Sequence, residues 1–286
     1  MRKGKPSSTA NLIAHAIVLA SHDRELSGLV AKDESELILR ILGKSQSSHL
    51  FHFSLKTFPL KLRLLERFLL PGIIAHYLVR KRKIEQMVRN AIASGTQEVV
   101  VIAAGYDTLC LRLSQEFPEI RFVEIDHPET QASKKAAFPE RSNLRYAACD
   151  LTKEPLPALS ENPSRMIVLE GLTMYLHEKQ VATLFNELSL KCSALIFTFM
   201  EKAANGSIRF RNQSSLIDRW LSWKGENFYW GITRDSLSKF LGKQGLHNVS
   251  IVDYRDLRTE FLEPLDLHNT VIAQGECICL TTPISK

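Results

Sequence analysis

Acidic side chains follow several short apolar segments of this chain, at positions from which they could bind one ligand together. The apolar segment that opens with EVVVI at position 98 runs into a small-residue loop around Gly105, and the segment at 121–126, RFVEID, ends in Asp126. Nucleotide-binding α/β units place a carboxylate on ribose hydroxyls at this spacing, about twenty residues beyond such a loop. The spacing therefore indicates a ligand that contains adenosine.

The loop after the first segment consists of Ala103, Ala104, Gly105, Tyr106 and Asp107. Small side chains there let backbone N–H groups approach a ligand, and the start of the next helix favours a negative group. A plain tight turn would explain the same residues. The further glycines of a dinucleotide fingerprint are absent, which argues against a nicotinamide cofactor.

Two acids of the second segment, Glu124 and Asp126, share one face of the predicted strand because strand residues alternate. Asp126 lies nearer the strand tip and is the better ribose ligand, with Glu124 as its hydrogen-bonded support. The alternative role of Asp126 is the N-terminal cap of a helix that begins after Pro128. The two roles are compatible.

The third and fourth apolar segments also end in acids, within CDL at 149–151 and LEG at 169–171. Asp150 could accept a hydrogen bond from the adenine amine while the Leu151 N–H meets a ring nitrogen. A solvated loop aspartate is the alternative. Glu170 follows a central strand, where a carboxylate is costly unless it is paired, and a cationic amino group of the ligand would pair with it.

Alternating strand and helix patterns place these acids at one edge of a parallel sheet. Residues 9–94 are predicted to be helical throughout, because their apolar residues recur at helical spacing. The predicted strands are 98–103, 121–125, 144–148, 165–170, 194–200, 247–254 and 270–281. The predicted helices between them are 108–117, 128–137, 178–191, 207–222 and 234–244. No clear helix separates the last two strands, so they are expected to pair antiparallel.

The five parallel strands and the antiparallel C-terminal hairpin give a seven-stranded, mostly parallel sheet, an arrangement that resembles the layout of Rossmann-like class I methyltransferases. A dinucleotide dehydrogenase would instead continue with a second mononucleotide-binding half. The predicted organisation is a helical N-terminal cap at 1–94 followed by an α/β domain at 95–286. Within that domain, the segment 201–232 is rich in Arg and Trp and is predicted to form a lid insertion.

The composition is that of an ordinary globular chain, with 44% hydrophobic residues and a net charge of +6. Nine basic residues stand against two acids between Lys56 and Arg89. A solvated helix face is the favoured explanation of this basic run, and a nucleic-acid or membrane surface is the alternative.

The five cysteines are odd in number and form no CxxC pair. This pattern favours reduced, buried thiols in a cytoplasmic protein over a disulfide framework or a metal site. A cleaved secretory signal is not expected, because His15 interrupts the N-terminal apolar run and Ser8-Thr9 before it is typical of a helix cap. No other apolar stretch is long enough to span a bilayer.

Four motifs, AAGYDT, VEID, CDL and LEGLTMYL, together resemble the leucine carboxyl methyltransferase family. This family includes bacterial polyketide-tailoring O-methyltransferases and uses S-adenosylmethionine. The resemblance runs from SSTANLIAHA through YLVRKRKIEQMV to GITRDSLSKFLGKQGL, and so covers most of the chain.

Site roles are implied by the resemblance residue by residue. It implies that Arg80 binds the methionine carboxylate and that the Gly105 loop lies beside the methionine part. It implies that Asp126 holds the ribose, and that Asp150 and Leu151 bind adenine.

The resemblance also implies that Glu170 holds the amino group, with Tyr175 close by. The chain departs from the family pattern at two positions. Ala103 stands where glycine is usual, and Leu109 stands where arginine is usual.

The implied function is S-adenosylmethionine-dependent transfer of a methyl group to a carboxylate or hydroxyl of a small molecule or a protein C-terminus. A hydroxyl acceptor is helped by a base, and His177 is the nearest histidine in sequence to the site, although the sequence identifies no catalytic base. One alternative is an RNA-directed methyltransferase or RNA-binding module, although nucleic acid is not the expected partner. The other is a nicotinamide-dependent oxidoreductase.

Overall fold

The described N-terminal residues are mostly helical, but their helices are separate. The structure, a computed structural model, describes residues 8–44, 66, 70–151, 153–159, 162–224 and 227–284. Its first three long helices are α1 (Ser8–Ala20), α2 (Glu34–Lys44) and α3 (Ile73–Ala93). The part of the predicted helix that covers 45–65 and 67–69 lies outside the described residues.

A turn at Asp23 interrupts the predicted continuous helix. The Asp23 carboxylate accepts the N–H groups of Glu25 and Leu26 at 2.9 and 3.2 Å. Such local side-chain bonds offer the backbone an alternative to the helix. The chain then makes a single 3₁₀ turn at Ser27–Leu29 before α2, so the prediction of unbroken helix over 9–94 is wrong here.

A mostly parallel sheet of eight strands forms the centre of the described structure. The strands are β1 (Glu98–Ile102), β2 (Arg121–Asp126), β3 (Leu144–Ala148), β4 (Arg165–Leu169), β5 (Ala194–Glu201), β6 (Gly231–Ile232), β7 (Leu246–Val252) and β8 (Glu276–Pro283). Their order is β3-β2-β1-β4-β5-β8-β7, and the short β6 pairs with the end of β5. β8 is antiparallel to both of its neighbours, β5 and β7.

This topology confirms the predicted fold class, with the two-residue β6 as an addition to the seven predicted strands. The connection between β7 and β8 was expected to lack helix. It contains one helical turn, α9 (Tyr254–Leu257), followed by a π turn and a 3₁₀ turn that end at Leu265.

Apolar side chains of the central strands pack on both faces of the sheet. All five residues of β1 are buried, as expected for a parallel strand covered on both sides. Alternation sends Val99 and Val101 to a core shared with the N-terminal helices, and Val100 and Ile102 to a second core. The predicted N-terminal cap therefore shares one core with the sheet.

Five further helices connect and cover the strands. They are α4 (Leu109–Glu116), α5 (Pro128–Ala137), α6 (Glu178–Ser189), α7 (Ser215–Lys224) and α8 (Arg234–Gly242). The helix predicted at 207–222 begins eight residues later, because residues 207–214 form turns with an irregular backbone. The strand predicted at 270–281 begins only at Glu276, directly after Gly275, whose φ of 120° lies outside strand geometry.

Two glycines allow close backbone contacts beside the carboxyl ends of the strands. A Cβ at Gly72, just before α3, would lie 2.6 Å from the carbonyl carbon of Val271. A Cβ at Gly275 would lie 3.0 Å from the carbonyl oxygen of Arg209. The start of α3, the predicted lid and the start of β8 are thereby packed together.

All five cysteines are free and buried, as predicted. Among the described residues, no helix combines the length and apolar character needed to cross a bilayer.

Candidate functional site

The residues predicted to bind a cofactor line one cavity of about 340 Å³, beyond the carboxyl ends of the first four strands. The ten are Arg80, Ala103, Ala104, Gly105, Asp107, Asp126, Asp150, Leu151, Glu170 and Tyr175. Small-molecule sites commonly measure about 300–1,000 Å³ and lie in this crevice of an open parallel sheet. Apolar residues of α1, including Ala10, Ile13 and Ile17, cover the cavity.

The loop between β1 and α4 turns sharply at two residues in the left-handed region. Ala103 has a φ of 59° and Gly105 a φ of 53°. Glycine adopts this conformation freely, whereas an alanine is strained by roughly 1–2 kcal/mol. The usual glycine of the family at position 103 is thus explained by backbone geometry, and Ala103 keeps that geometry with a side chain.

Asp126 holds this loop through its carboxylate. Its Oδ2 accepts the Gly105 N–H at 2.8 Å, and its Oδ1 accepts the N–H of His127 at 2.6 Å. The N-cap of α5 is His127, whose Nδ1 accepts the Glu129 N–H. The alternative capping role of Asp126 is therefore wrong by one residue, and its carboxylate remains directed at the loop and the cavity.

Asp107 is anchored by cations on both sides. Its Oδ1 accepts the Leu109 N–H at 2.6 Å, and its Oδ2 pairs with Lys81. Burial alone would raise the pKa of the Asp107 carboxyl. The charge and hydrogen bond of Lys81, the Leu109 N–H and the charge of Lys134 together outweigh burial and hold that pKa well below its usual range. Lys134 donates to the Asp107 carbonyl at 2.6 Å, so the loop is fixed at its side chain and its backbone.

Glu124 supports Lys134 rather than Asp126. The two side chains form an ion pair, and both are fully buried. Burial raises the pKa of Glu124 to about 7, against the opposing charge of Lys134. The expectation that Glu124 supports Asp126 directly is therefore wrong. Glu124 instead pairs with Lys134, and Lys134 contacts the loop through the Asp107 carbonyl.

Arg80 is the centre of a buried ion-pair network. Its Nε and Nη2 donate to Glu170 Oε1 at 2.9 and 2.7 Å. Its Nη1 donates to both carboxylate oxygens of Glu276 at 2.8 and 2.7 Å. The Arg80 side chain is only 4% exposed, and Lys81 contacts the other oxygen of Glu170 at 3.2 Å.

Sequence reasoning missed Glu276 and Lys81, which both line the cavity. One signal was present: Glu276 opens the apolar run ECICL, and a buried carboxylate needs a partner. Burial by itself would raise the pKa of Glu276. The charge of Arg80 and the hydrogen bonds of Arg80 and His76 overcome burial and lower that pKa to about 2.

Asp150 and Leu151 lie at a different part of the lining, after β3. Asp150 pairs with Lys153 on the protein surface and lies 3.9 Å from the Nε2 of His127. Leu151 packs against the second core. This part of the cavity thus offers a carboxylate and a loop backbone next to the side chain of His127.

Aromatic rings line the cavity next to the Arg80 network. The Tyr77 ring lies over the guanidinium at 4.7 Å. The Phe210 and Phe228 rings pack edge-on with their centroids 6.3 Å apart. The Phe228 and Tyr175 rings do the same with their centroids 5.5 Å apart. Tyr229 completes this group, here called the aromatic wall: Tyr77, Tyr175, Phe210, Phe228 and Tyr229.

His177 does not line the cavity. Its N–H donates to Gln180 at 2.9 Å at the start of α6, and its ring lies against Tyr229. The structure therefore favours a capping role for His177 over that of a base.

The predicted lid contributes Phe210, Phe228 and Tyr229 to the aromatic wall. Its backbone is attached to the sheet, because the Arg211 N–H donates to the Gln274 carbonyl at 2.8 Å. Of its tryptophans, Trp230 is 2% exposed and packs in the core, whereas Trp223 is 64% exposed.

A larger cleft of about 900 Å³ lies between α2, α3 and α4. Much of its charge is compensated internally, since Glu85 pairs with both Arg89 and Arg112. Four of the five described members of the basic run behave similarly: Arg80, Lys81, Lys83 and Arg89 hold carboxylates, whereas Arg82 lines this cleft. Lys56, Lys61, Arg63 and Arg67 lie outside the described residues.

Comparison with known proteins assigns the family. The model of the leucine carboxyl methyltransferase family matches residues 15–189, more than half of the chain. The chain belongs to this family. The predicted family is thus confirmed, and the matched range includes every residue that was predicted to bind a cofactor.

Two curated proteins are related to this chain at 24% and 27% identity. A Bacillus subtilis (strain 168) protein, YktD, named as an S-adenosyl-L-methionine-dependent methyltransferase, is 24% identical over 63% of this chain and 64% of its own length. The tetracenomycin polyketide synthesis O-methyltransferase TcmP of Streptomyces glaucescens is 27% identical over 54% of this chain and 55% of its own length. The chain thus spans between about half and two thirds of these relatives.

Among solved structures, human N-acetylserotonin methyltransferase in complex with SAM aligns with 94% of this chain and 70% of its own, at 10% identity and a TM-score of 0.48. A likeness this distant says nothing about the ligand or the substrate of this family member.

Substitution of Ala103 by glycine is expected to stabilise the protein. Relief of the left-handed alanine should outweigh the added freedom of the unfolded chain, for a net gain of about 0.5–1 kcal/mol in the free energy of unfolding. Urea denaturation measures this gain. The control is Ala104→Gly, at a buried neighbour without positive φ, which should destabilise. A loss of stability in Ala103→Gly would contradict the strain at position 103.

Substitution of Glu276 by glutamine is expected to remove part of the acid sensitivity of the fold. The pKa of Glu276 in the folded protein, about 2, lies below its ordinary value of 4.5. The ionised carboxylate therefore stabilises the fold above about pH 4.5, and this contribution is lost as the pH falls towards 2. Over that range the free energy of unfolding should fall more steeply in the wild type than in the variant.

Urea titrations at several pH values check this expectation. The control is Glu119→Gln, at an exposed position, which should keep the pH dependence of the wild type. Equal slopes in the wild type and the Glu276 variant would show that Glu276 is not the group responsible.

Proposed function

We propose that the protein is an S-adenosylmethionine-dependent O-methyltransferase that acts on a small molecule with an aromatic body. The observation that carries this proposal is the convergence of carboxylates from four neighbouring strand ends on one cavity of a leucine carboxyl methyltransferase family member. Methyltransferase names of the curated relatives support it.

The cavity residues fit the parts of this cofactor. Asp126 is directed at the loop where a ribose would bind, and each of its oxygens retains acceptor capacity beside its backbone N–H bond. Asp150 and the Leu151 backbone would hold adenine. Glu170 would accept the cationic amino group, and Arg80 would bind the carboxylate.

When bound, S-adenosylmethionine supplies a methyl group on a positively charged sulfur. The protein's own contribution is position and the exclusion of water, which in favourable cases supplies roughly 7–11 kcal/mol of a barrier. Helix α1 and the aromatic wall enclose the cavity with apolar side chains. Asp107, held by Lys81, keeps the loop at a fixed distance from the network around Arg80.

The aromatic wall supports a flat, mainly apolar acceptor over RNA or a protein C-terminus, because offset ring contacts favour such a body. A hydroxyl acceptor is favoured over a carboxylate. An acceptor carboxylate in a largely apolar pocket requires a cation of its own. Arg80 and Lys81 pair with Glu170, Glu276 and Asp107, and the unused N–H of Arg80 would bind the carboxylate of the cofactor.

The alternatives receive less support. The RNA-directed function depends on the basic run, and four of its five described members, Arg80, Lys81, Lys83 and Arg89, are paired with acids. A nicotinamide-dependent oxidoreductase function does not agree with membership of the leucine carboxyl methyltransferase family.

The five buried free thiols favour a reducing compartment such as the cytoplasm.

Loss of the Asp126 charge is expected to weaken cofactor binding. In Asp126→Asn, hydrogen bonds to an ionised group worth about 1.5–3 kcal/mol become neutral ones, so the Kd for S-adenosylhomocysteine should rise about 10- to 100-fold. Titration calorimetry measures the Kd, with Glu119→Gln as the control that keeps wild-type affinity. Undiminished binding by the Asp126 variant would remove Asp126 from the site.

The acceptor class is tested with the wild-type enzyme, S-adenosylmethionine and four sets of compounds: planar phenols, aromatic carboxylic acids, peptides with a free C-terminus, and RNA. Mass spectrometry should show methylated phenols. Phe228→Ala should raise the KM for such a phenol about tenfold, equivalent to about 1.4 kcal/mol, while Trp223→Ala, which removes an exposed ring, should not. Methylation of only RNA or peptides would overturn the proposed acceptor.

A further inference from the structure

The hydrogen bonds of Arg80 use three of the five N–H groups that a guanidinium carries. Nε and Nη2 each donate one N–H to Glu170. Nη1 shares one N–H between the two oxygens of Glu276, because the two N–H bonds of one nitrogen diverge too widely to reach both oxygens of the same carboxylate. The second N–H of Nη2 is used by neither carboxylate. Nη2 is also the nitrogen next to Gly171, where an added Cβ would lie 3.9 Å away.

Glu276 determines how this guanidinium is turned. Its two oxygens lie 2.8 and 2.7 Å from Nη1 and share an N–H of that nitrogen, and its side chain is 1% exposed. Glu170 binds the opposite edge through a single oxygen. With only Glu170 present, the planar group could tilt about that one oxygen, whereas two carboxylates on opposite edges hold its plane.

His76 holds Glu276 in turn. His76 and Arg80 lie one helical turn apart on the same face of α3. The His76 Nδ1 is buried without a hydrogen-bond partner among the described residues, so the ring proton belongs on Nε2, which donates to Glu276 at 2.8 Å. A carboxylate on β8 is thus fixed by two side chains of α3.

We infer that Glu276, supported by His76, is a positioning residue that presents the remaining Nη2 N–H of Arg80 to the carboxylate of a bound amino-acid group. This inference rests on the proposed function, because it assumes that the cavity takes a ligand with an amino-acid part. It assigns Glu276 an effect on one portion of the ligand and none on the adenosine portion, which lies against Asp126 and Asp150.

The test compares two ligands by calorimetry: S-adenosylhomocysteine, and methylthioadenosine, which has the adenosine and the sulfur but no amino-acid part. In Glu276→Gln, the Kd for S-adenosylhomocysteine should rise about tenfold or more. The Kd for methylthioadenosine should stay within about twofold of the wild type. Binding, rather than turnover, is the readout.

The matched control is Glu98→Gln. Glu98 forms a buried ion pair with Arg165 at the ends of β1 and β4 that lie away from the cavity, so its loss should lower stability without changing either Kd. His76→Leu provides a second variant should Glu276→Gln fail to fold. This variant keeps the Glu276 carboxylate and removes one of its hydrogen-bond donors. It should weaken the binding of S-adenosylhomocysteine but not of methylthioadenosine, and by less than Glu276→Gln does.

Two results would overturn the inference while leaving the proposed function intact. One is unchanged affinity of the variants for S-adenosylhomocysteine. The other is an equal loss of affinity for both ligands, which would assign Glu276 a general structural role. Failure of the wild type to bind either ligand would instead overturn the proposed function, and this inference with it.

Discussion

The cavity depends on one buried cation. The guanidinium of Arg80 lies between Glu170 and Glu276, and so joins helix α3 to the end of β4 and the start of β8. Removal of one member of a buried ion pair is strongly destabilising, because the other member is left as a buried charge without compensation. The three segments are therefore required to meet at one point. The part of the cavity wall around Arg80 forms where these three segments meet.

Most other charges of the site are compensated in the same way. Lys81 holds Asp107 and Glu170, and Lys134 joins Glu124 to the Asp107 carbonyl. The loop at the end of β1 is thus held from α3 and from α5 together. An arrangement in which side chains already have partners loses little freedom when a ligand binds, which is the physical meaning of a preorganised site.

Local sequence pattern and a general rule of parallel sheets were enough to predict three of the acids in the cavity. Strand ends meet at one edge, so Asp126, Asp150 and Glu170 could be placed together from spacing alone. Glu276 could not be placed with them from sequence spacing. Its contact with Arg80 spans 196 residues and depends on the position of β8 between β5 and β7. The late start of β8 has a local cause, the positive φ of Gly275, which a hydrophobicity pattern does not reveal.

The close contact between Gly275 and Arg209 bears on how the family could diversify. Main-chain groups fix the backbone on both sides of residue 210. Gly275 packs on the Arg209 carbonyl, and the Arg211 N–H donates to the Gln274 carbonyl. Phe210 lies between these attachment points, and its side chain takes no part in either of them. A change of side chain at position 210 would therefore leave these backbone attachments in place. The Phe210 ring also packs edge-on against His76, with ring centroids 5.7 Å apart, so selection on what the pocket admits acts at the same time on a neighbour of the charge network.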